Sequence, residues 1–545
     1  MTLAPECSFQ WDGAAIAIFL GAMPLAVMMT LATLLLYRRA IGRAMRSGSD
    51  EKTSDPQSFT ASPPPHPLAI LPVSQEAQPI QDSSNLDLSN RTKRHLSLAN
   101  TLAGITHATI ATLLMFWLND LEFKAIRTLT VWLVFMWPVL MVWLMTVTST
   151  RRQQLMLVST YFGLLLLFEI ILETFQLRNQ PAFGELFLLW SIIMGVPTAV
   201  TLLLANRAWR SLGLITLFIS IVLVAAYLLG FQLLGCLVLS TRLNLLLQAM
   251  PFLQVGILII CAVLAWWLVR RVASSYQRKQ TSDQMLTLDS LWLLVTVLEV
   301  LFQMGASGLA SLLFFLAFLG YKLVLRWSLK DTARHRQPMQ PVPMLLLRVF
   351  GHTKRTRTLT DQVGLTWRHT GPINMIGGTD LATALLEPDE LMAFWSRKLR
   401  RGFITSSQDL DARLQNLDDK PDPDGRYRIN EFFCHDNTWQ MTVHQLAQSS
   451  KVVLMDLRGF GSQNRGCKFE LSMLLSEVPL AKVVLLVDKT TRIDDLQALL
   501  QTLWAALPST SPNRKLTHPV LHLFRIEDSG KALRPLLSHL FQAAT

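Results

Sequence analysis

Charged residues are scarce in this 545-residue chain: Asp, Glu, Lys and Arg make up 16% of it, against 51% hydrophobic residues. With a mean hydropathy of +0.33, an ordinary soluble protein is excluded, because a soluble domain cannot bury helices on every side repeatedly. Cysteine is sparse too. Cys7, Cys236, Cys261, Cys434 and Cys467 form no CxxC pair, so neither a zinc site nor a disulfide framework is expected, and no metal site is assigned. Basic residues are missing ahead of the first apolar run, where Pro5, Glu6 and Asp12 stand instead. That excludes a cleaved signal peptide and leaves an uncleaved anchor.

Long apolar segments dominate what is present. After the first run at 14–37, eight more are expected at about 102–118, 129–149, 154–175, 186–205, 211–229, 251–269, 286–304 and 309–325, each near the ~20 residues that span a bilayer. The basic residues between them fall on alternate turns: Arg38-Arg39, Arg151-Arg152, Arg207 with Arg210, and Arg270-Arg271. This alternation implies nine crossings with the N-terminus outside and everything after Lys330 in the cytoplasm. It also assigns much of the net charge of +12 to orientation and lipid contact, so no nucleic acid partner is expected. The stretch 230–250 reads as an external interfacial helix. Residues 291–319 could form one long helix, but Gly305-Ala306-Ser307-Gly308 favours two short crossings.

Four regions follow: an anchor at 1–46, a disordered cytoplasmic linker at 47–100 that is rich in Ser, Gln and Asp around Pro63-Pro64-Pro65, an eight-helix transmembrane bundle at 101–330, and a cytoplasmic domain at 341–545. Ionisable residues inside apolar spans are costly and default to function. His107, Glu169, Glu173 and Glu299 are the intramembrane candidates. They support a transporter or channel as the competing functional class; the alternative is that Glu173 lies near the external interface while Glu169 and Glu299 hydrogen-bond neighbouring helices.

Beyond Pro341 short apolar runs alternate with amphipathic segments. Strands are expected at 344–350, 372–377, 428–434, 451–457, 481–488 and 519–525. Helices are expected near 353–369, 379–401, 437–449, 465–477, 492–506 and 530–542, with 405–426 an inserted loop. Runs apolar on both faces, such as Val483-Val484-Leu485-Leu486-Val487, mark a mostly parallel sheet covered on both sides: a doubly wound α/β domain expected to fold on its own. Ligands in such folds bind beyond the carboxyl ends of the strands. There lie Gly377-Gly378-Thr379 before a helix, Asp456 with Arg458 on one side of the sheet edge, and Asn464; the plainer readings are a turn with a helix cap for the glycines and a local ion pair holding the loop for Asp456 and Arg458. Together they suggest a nucleotide-type ligand, although neither GxGxxG nor GxxxxGK[ST] occurs at these ends. Cys434-His435-Asp436 reads as a core cysteine before a helix cap at Asp436 or Asn437, because neighbouring strand residues point to opposite faces.

The stretch from Val452 to Leu475, VVLMDLRGFGSQNRGCKFELSMLL, resembles the Toll/interleukin-1 receptor (TIR) pattern. There a strand and polar loop lead into a helix opening with Trp-Cys-x-x-Glu-Leu; here Gly466 takes the tryptophan's place. The resemblance implies a TIR-like, flavodoxin-like sheet, NAD as a ligand rather than a required cofactor, and Glu470 as the catalytic carboxylate of an NAD hydrolase. The other reading of Glu470 is a charge serving the helix dipole or an ion pair with Arg465 or Lys468. The longer run Trp367 to Glu390, with 430–439, resembles bacterial membrane proteins that join a helical bundle to a cytosolic α/β domain. From these resemblances the expectation is an inner-membrane signalling or stress-response protein whose domain binds a nucleotide or partner proteins, homo-oligomers included.

Overall fold

The computed structural model describes residues 13–46, 64, 66–73, 83–146, 151–176, 184, 194–195, 197–202, 215–223, 244–334, 340–349, 353–378, 388–396, 399–461, 463–526 and 533–544. It divides into two compact units, one built mainly from 93–336 with the first 35 residues, the other from 36–92, 337–386 and 393–545.

The helical unit contains α1 (Gly13–Arg46), shared with the second unit, then α2 (Ser83–Leu118), α3 (Ala125–Met136), α4 (Val139–Thr146), α5 (Arg151–Gln176), α6 (Asn244–Gln277), α7 (Asp283–Ser307) and α8 (Phe315–Arg334). Among the described residues six helices are long and apolar enough to cross a membrane, or seven if the bent pair α3–α4 is one span. The chain is thus a multi-pass membrane protein. The 50° bend between α3 and α4 falls at Pro138, whose ring blocks a continuous helix. The expected crossings at 186–205 and 211–229 fall mostly outside the described residues. So does most of the interfacial helix expected at 230–250, and its end, from Asn244, is already the start of α6.

The choice between one long helix and two at 291–319 is decided by side chains. Asp289 pairs with Lys322 at 2.5 Å, and the Trp292 and Tyr321 rings lie 5.4 Å apart. Contacts equidistant from Gly305–Gly308 are those of an antiparallel hairpin. Gly308 turns the chain with φ 56°, a backbone region that glycine enters without steric cost.

The α/β unit is an eight-stranded, all-parallel sheet: β1 (Ala69–Val73), β2 (Met344–Arg348), β3 (Ile373–Gly377), β4 (Phe403–Ile404), β5 (Ile429–Cys434), β6 (Val452–Asp456), β7 (Val483–Val487) and β8 (Val520–Arg525), in the order β1-β8-β7-β6-β2-β3-β5-β4. Its helices are α9 (Thr353–Trp367), α11 (Ser407–Gln415), α12 (Trp439–Ser449), α13 (Arg465–Glu477), α14 (Ile493–Ala505) and α15 (Leu533–Ala544), and α10 (Pro388–Trp395) is divided between the two units at Met392. Strand alternation sends Leu345, Leu347, Val453, Met455, Val483 and Leu485 into one core layer with α12, α13 and α14. Met344, Leu346, Val452, Leu454, Val484 and Leu486 enter the other with α9 and α15, where Trp367 stacks on Phe541 at 4.7 Å. Helices on both faces explain strands that are apolar throughout.

The six expected strands are present. In chain order they lie as 3-2-1-4-5-6, so these six place one strand more on the β3 side than the flavodoxin-like order 2-1-3-4-5, and β4 adds a second. Winding reverses between β2 and β6.

Three expectations need correction. Residues 47–100 are not linker throughout, since 69–73 form β1 and α2 begins at Ser83. The loop at 405–426 contains α11, whose N-cap Ser406 accepts from the Asp409 N–H. Of the helix expected at 379–401, the described part is only α10 and a 3-10 turn at Leu399–Gly402; 379–387 lie outside the described residues.

β1 and the end of α1 close the two sheet edges. β1 pairs with β8; its Pro72, which has no N–H to give, is tolerated because β1 is an edge strand. Trp504 Nε1 and Gln501 Nε2 donate to the carbonyls of His66 and Leu68, at 2.9 and 3.1 Å. At the other edge Tyr37, Ile41 and Ala44 of α1 pack on Phe403 and Phe433. Covering edge strands removes a template for aggregation.

Candidate functional site

The point where winding reverses brings the carboxyl ends of β2 and β6 together. Arg348 is in register with Asp456, and both are 3% exposed. Arg458 donates to Asp456 through Nε at 2.8 Å and a terminal nitrogen at 2.7 Å, a two-pronged geometry that suits guanidinium and carboxylate. Burial works against the guanidinium's charge, but the hydrogen bonds and charge of Asp456, with Asp488 nearby, outweigh it and raise the Arg458 pKa. The loop behind this pair is stiff. Gly459 has φ 78°, Phe460 is buried, and Asn464 Oδ1 accepts from the Gly461 N–H at 2.9 Å. Asn464 therefore clasps its own loop and does not cap α13.

The expected site residues are only partly brought together. Asp456 and Arg458 share the lip of the crevice, as their i, i+2 spacing implies. Gly377 lies at the end of β3 in register with Phe433, and a Cβ there would come within 2.8 Å of the Phe433 ring. Its lack of a side chain thus serves packing, not close approach to a ligand. Gly378 is buried beside it, and Thr379 lies outside the described residues. Arg348 was missed by sequence reasoning. Its signal was a single arginine in the otherwise apolar run MLLLRVF.

Glu470 needs a larger correction. It belongs to the inward row of α13 with Cys467, Leu471 and Leu474, which packs on Val453, Met455 and Leu457. Asp456 follows Val452 and Leu454 toward the opposite layer. Glu470 is 3% exposed with Oε2 lacking a hydrogen-bond partner among the described residues. A catalytic carboxylate must reach its substrate, and this one is sealed. Burial pushes its pKa up to about 8, with Arg348 pulling the other way. Cys467 beside it is pushed up to about 12, first by burial and then by the charges of Glu470 and Asp456.

A pH dependence follows. Below about 4.5 Glu470 is protonated whether the chain is folded or not; from there to about 8 only the unfolded chain ionises it. The stability difference between Glu470→Gln and wild type should therefore grow in the variant's favour across that window, by about 1.4 kcal/mol per pH unit at most, and level off above it. Melting curves from pH 4.5 to 9 check this; a difference independent of pH would refute it.

Cys434 is a core thiol, as expected. Its pKa is pushed up to about 11 by burial, and it donates to Thr442 Oγ1 at 3.4 Å. The expected cap at Asp436 or Asn437 is replaced by Thr438 at the N-cap; the Thr438 hydroxyl accepts from the His435 N–H and lies 2.9 Å from the Ile404 carbonyl oxygen, to which it donates.

In the helical unit, His107 is 1% exposed and contacts Thr296 at 3.0 Å. Glu299 accepts from Gln303 at 3.2 Å. His107 thus meets a neighbouring helix, whereas the donor to Glu299 lies one turn along its own helix, α7. Glu169 sits on α5, which packs against α3 and α4, and the Glu173 side chain lies outside the described residues. Among the described residues no cluster of three or more His, Cys, Asp or Glu is arranged to hold a metal.

Compared with known proteins, the chain matches no family model, no curated protein and no solved structure.

Proposed function

We propose that this is a membrane-anchored signalling protein whose α/β unit binds a nucleotide-class ligand, NAD among the candidates, in the crevice between β2 and β6. The observation that carries the reading is the reversal of winding there, the position at which open α/β sheets hold ligands. Arg348 and the Asp456–Arg458 pair line its lip. In the bound state Arg458 swings its fork to a phosphate, and Asp456 accepts from a ribose hydroxyl. The start of α13 faces the same crevice with its cap side chain used elsewhere, which leaves its N–H groups for an anion. The TIR-like segment forms β6, this loop and α13, so the resemblance and the crevice fall on one connection. The proposal is for binding and transmission, with no hydrolytic role for Glu470. The arginine alternation supports a cytoplasmic α/β unit in a bacterial inner membrane.

The test is thermal unfolding of the full-length protein in detergent with NAD, ADP or ATP. At a hundredfold excess over Kd, binding adds about 2.7 kcal/mol. The double variant Asp456→Asn, Arg458→Gln keeps hydrogen-bonding capacity and should lose the shift. No shift with any nucleotide would defeat the proposal.

A further inference from the structure

One face of α7 carries polar residues at heptad spacing through a candidate membrane span, Asp283–Gln303: Asp289, Thr296, Glu299 and Gln303, with Trp292 between the first two. The face is packed within the helical unit against α2 and α8, both also candidate spans. Gly104 of α2 lets the helices approach closely, since a Cβ there would meet Trp292 at 2.9 Å. Each polar residue meets another polar group. Asp289 Oδ2 pairs with Lys322 of α8 at 2.5 Å, with Arg326 nearby. Thr296 meets His107 of α2, and Gln303 joins Glu299 to Asn119 at 3.2 and 3.0 Å.

The tautomer of His107 follows from its partner. Thr296 Oγ1 lies 2.9 Å from the Trp292 carbonyl, which can only accept, so the hydroxyl proton goes there. The 3.0 Å contact with His107 Nε2 is then satisfied only if Nε2 carries the proton. Nδ1 is left as a bare lone pair, buried and without a partner among the described residues. Asp289 is held differently, between Lys322 and the buried Tyr321 hydroxyl of α8. A desolvated base inside a span is costly to keep.

We propose that this seam passes protons across the helical unit, with His107 Nδ1 as the central proton-binding atom and Asp289 and Glu299 as the carboxylates on either side. A proton arriving at Nδ1 forms the imidazolium. The Nε2 proton then leaves to Thr296 Oγ1 as the hydroxyl turns from the Trp292 carbonyl and gives its own proton to the Glu299 carboxylate, one turn further along α7. One proton enters the imidazole and one leaves it, and a ring flip restores the starting tautomer. A proton fits better than a metal ion, because among the described residues no three His, Cys, Asp or Glu are grouped to hold one, and Lys322 and Gln303 already donate to Asp289 and Glu299.

The experiment uses the full-length protein in liposomes with an interior pH dye and a potassium gradient released by valinomycin. Proton entry should exceed that of protein-free liposomes and fall about a hundredfold in Glu299→Gln, the scale of a lost proton-transfer group. Thr296→Ser, which keeps the hydroxyl, should retain the wild-type rate, whereas Thr296→Val should lose it; this pair decides the matter if Glu299→Gln does not fold. Wild-type entry no faster than in empty liposomes would overturn the proposal. So would equal rates in Thr296→Val and Thr296→Ser, or in Glu299→Gln and wild type.

Discussion

A fragment comprising only 340–545 is expected to be insoluble or largely unfolded, although that segment holds seven of the eight strands. Removing what precedes it opens both sheet edges. Trp504 and Gln501 lose their carbonyl acceptors, and Leu68 leaves the core layer that it shares with Leu521 and Leu523. Phe403 and Phe433 lose the cover of Tyr37 and Ile41, both fully buried. Each large apolar side chain withdrawn from burial costs about 1.5–3 kcal/mol, so losing three consumes much of the roughly 5–15 kcal/mol that stabilises a typical domain. Supplying 36–92 through a linker should restore soluble, cooperatively melting material. A fragment from 340 that melts like the full-length α/β unit would show that the edges need no cover.

Arg458→Ala is expected to destabilise the α/β unit by about 3–5 kcal/mol, the usual cost of stranding one member of a buried ion pair. Asp456 keeps its burial at 3% exposure and loses both short hydrogen bonds from the guanidinium. The conservative double variant, Asp456→Asn with Arg458→Gln, should cost clearly less because no charge is left unpaired. Unfolding of the full-length protein in detergent, followed through the tryptophans of the α/β unit, measures both. A loss below about 1 kcal/mol for Arg458→Ala would mean that the pair is solvated and weak.

The sequence made the interior of the sheet legible and its margins hardly at all. Val452–Met455 and Val483–Val487 are apolar on both faces because each strand is sandwiched by helices, and that pattern is local. β1 is five residues whose partner, β8, lies some 450 positions away; its local trace is one short apolar run, Leu68 to Val73, interrupted by Pro72. β4 is two residues long, too short for any periodicity. α11 did leave a local trace, the Ser406 and Asp409 capping pair, amid aspartates that read as loop.

The candidate site divides in the same way. Asp456 and Arg458 were readable because i, i+2 on a strand fixes a shared face. The role of Gly377 depends on the Phe433 ring from another strand, and the layer occupied by Glu470 depends on which face of α13 turns inward. Neither is written in a short motif. In the helical unit the intramembrane residues were visible as charges in apolar runs, but the Thr296 partner of His107 comes from the packing of α2 on α7, and Gln303, which donates to Glu299, is itself tied to Asn119.

The most direct test of the central claim is hydrogen exchange of the full-length protein with and without the nucleotide that shifts its melting most. Binding in the β2–β6 crevice should slow exchange in 456–466 and at the start of α9 and leave the β1–β8 pair and α15 unchanged. Protection confined to other segments, or none at saturating nucleotide, would contradict it.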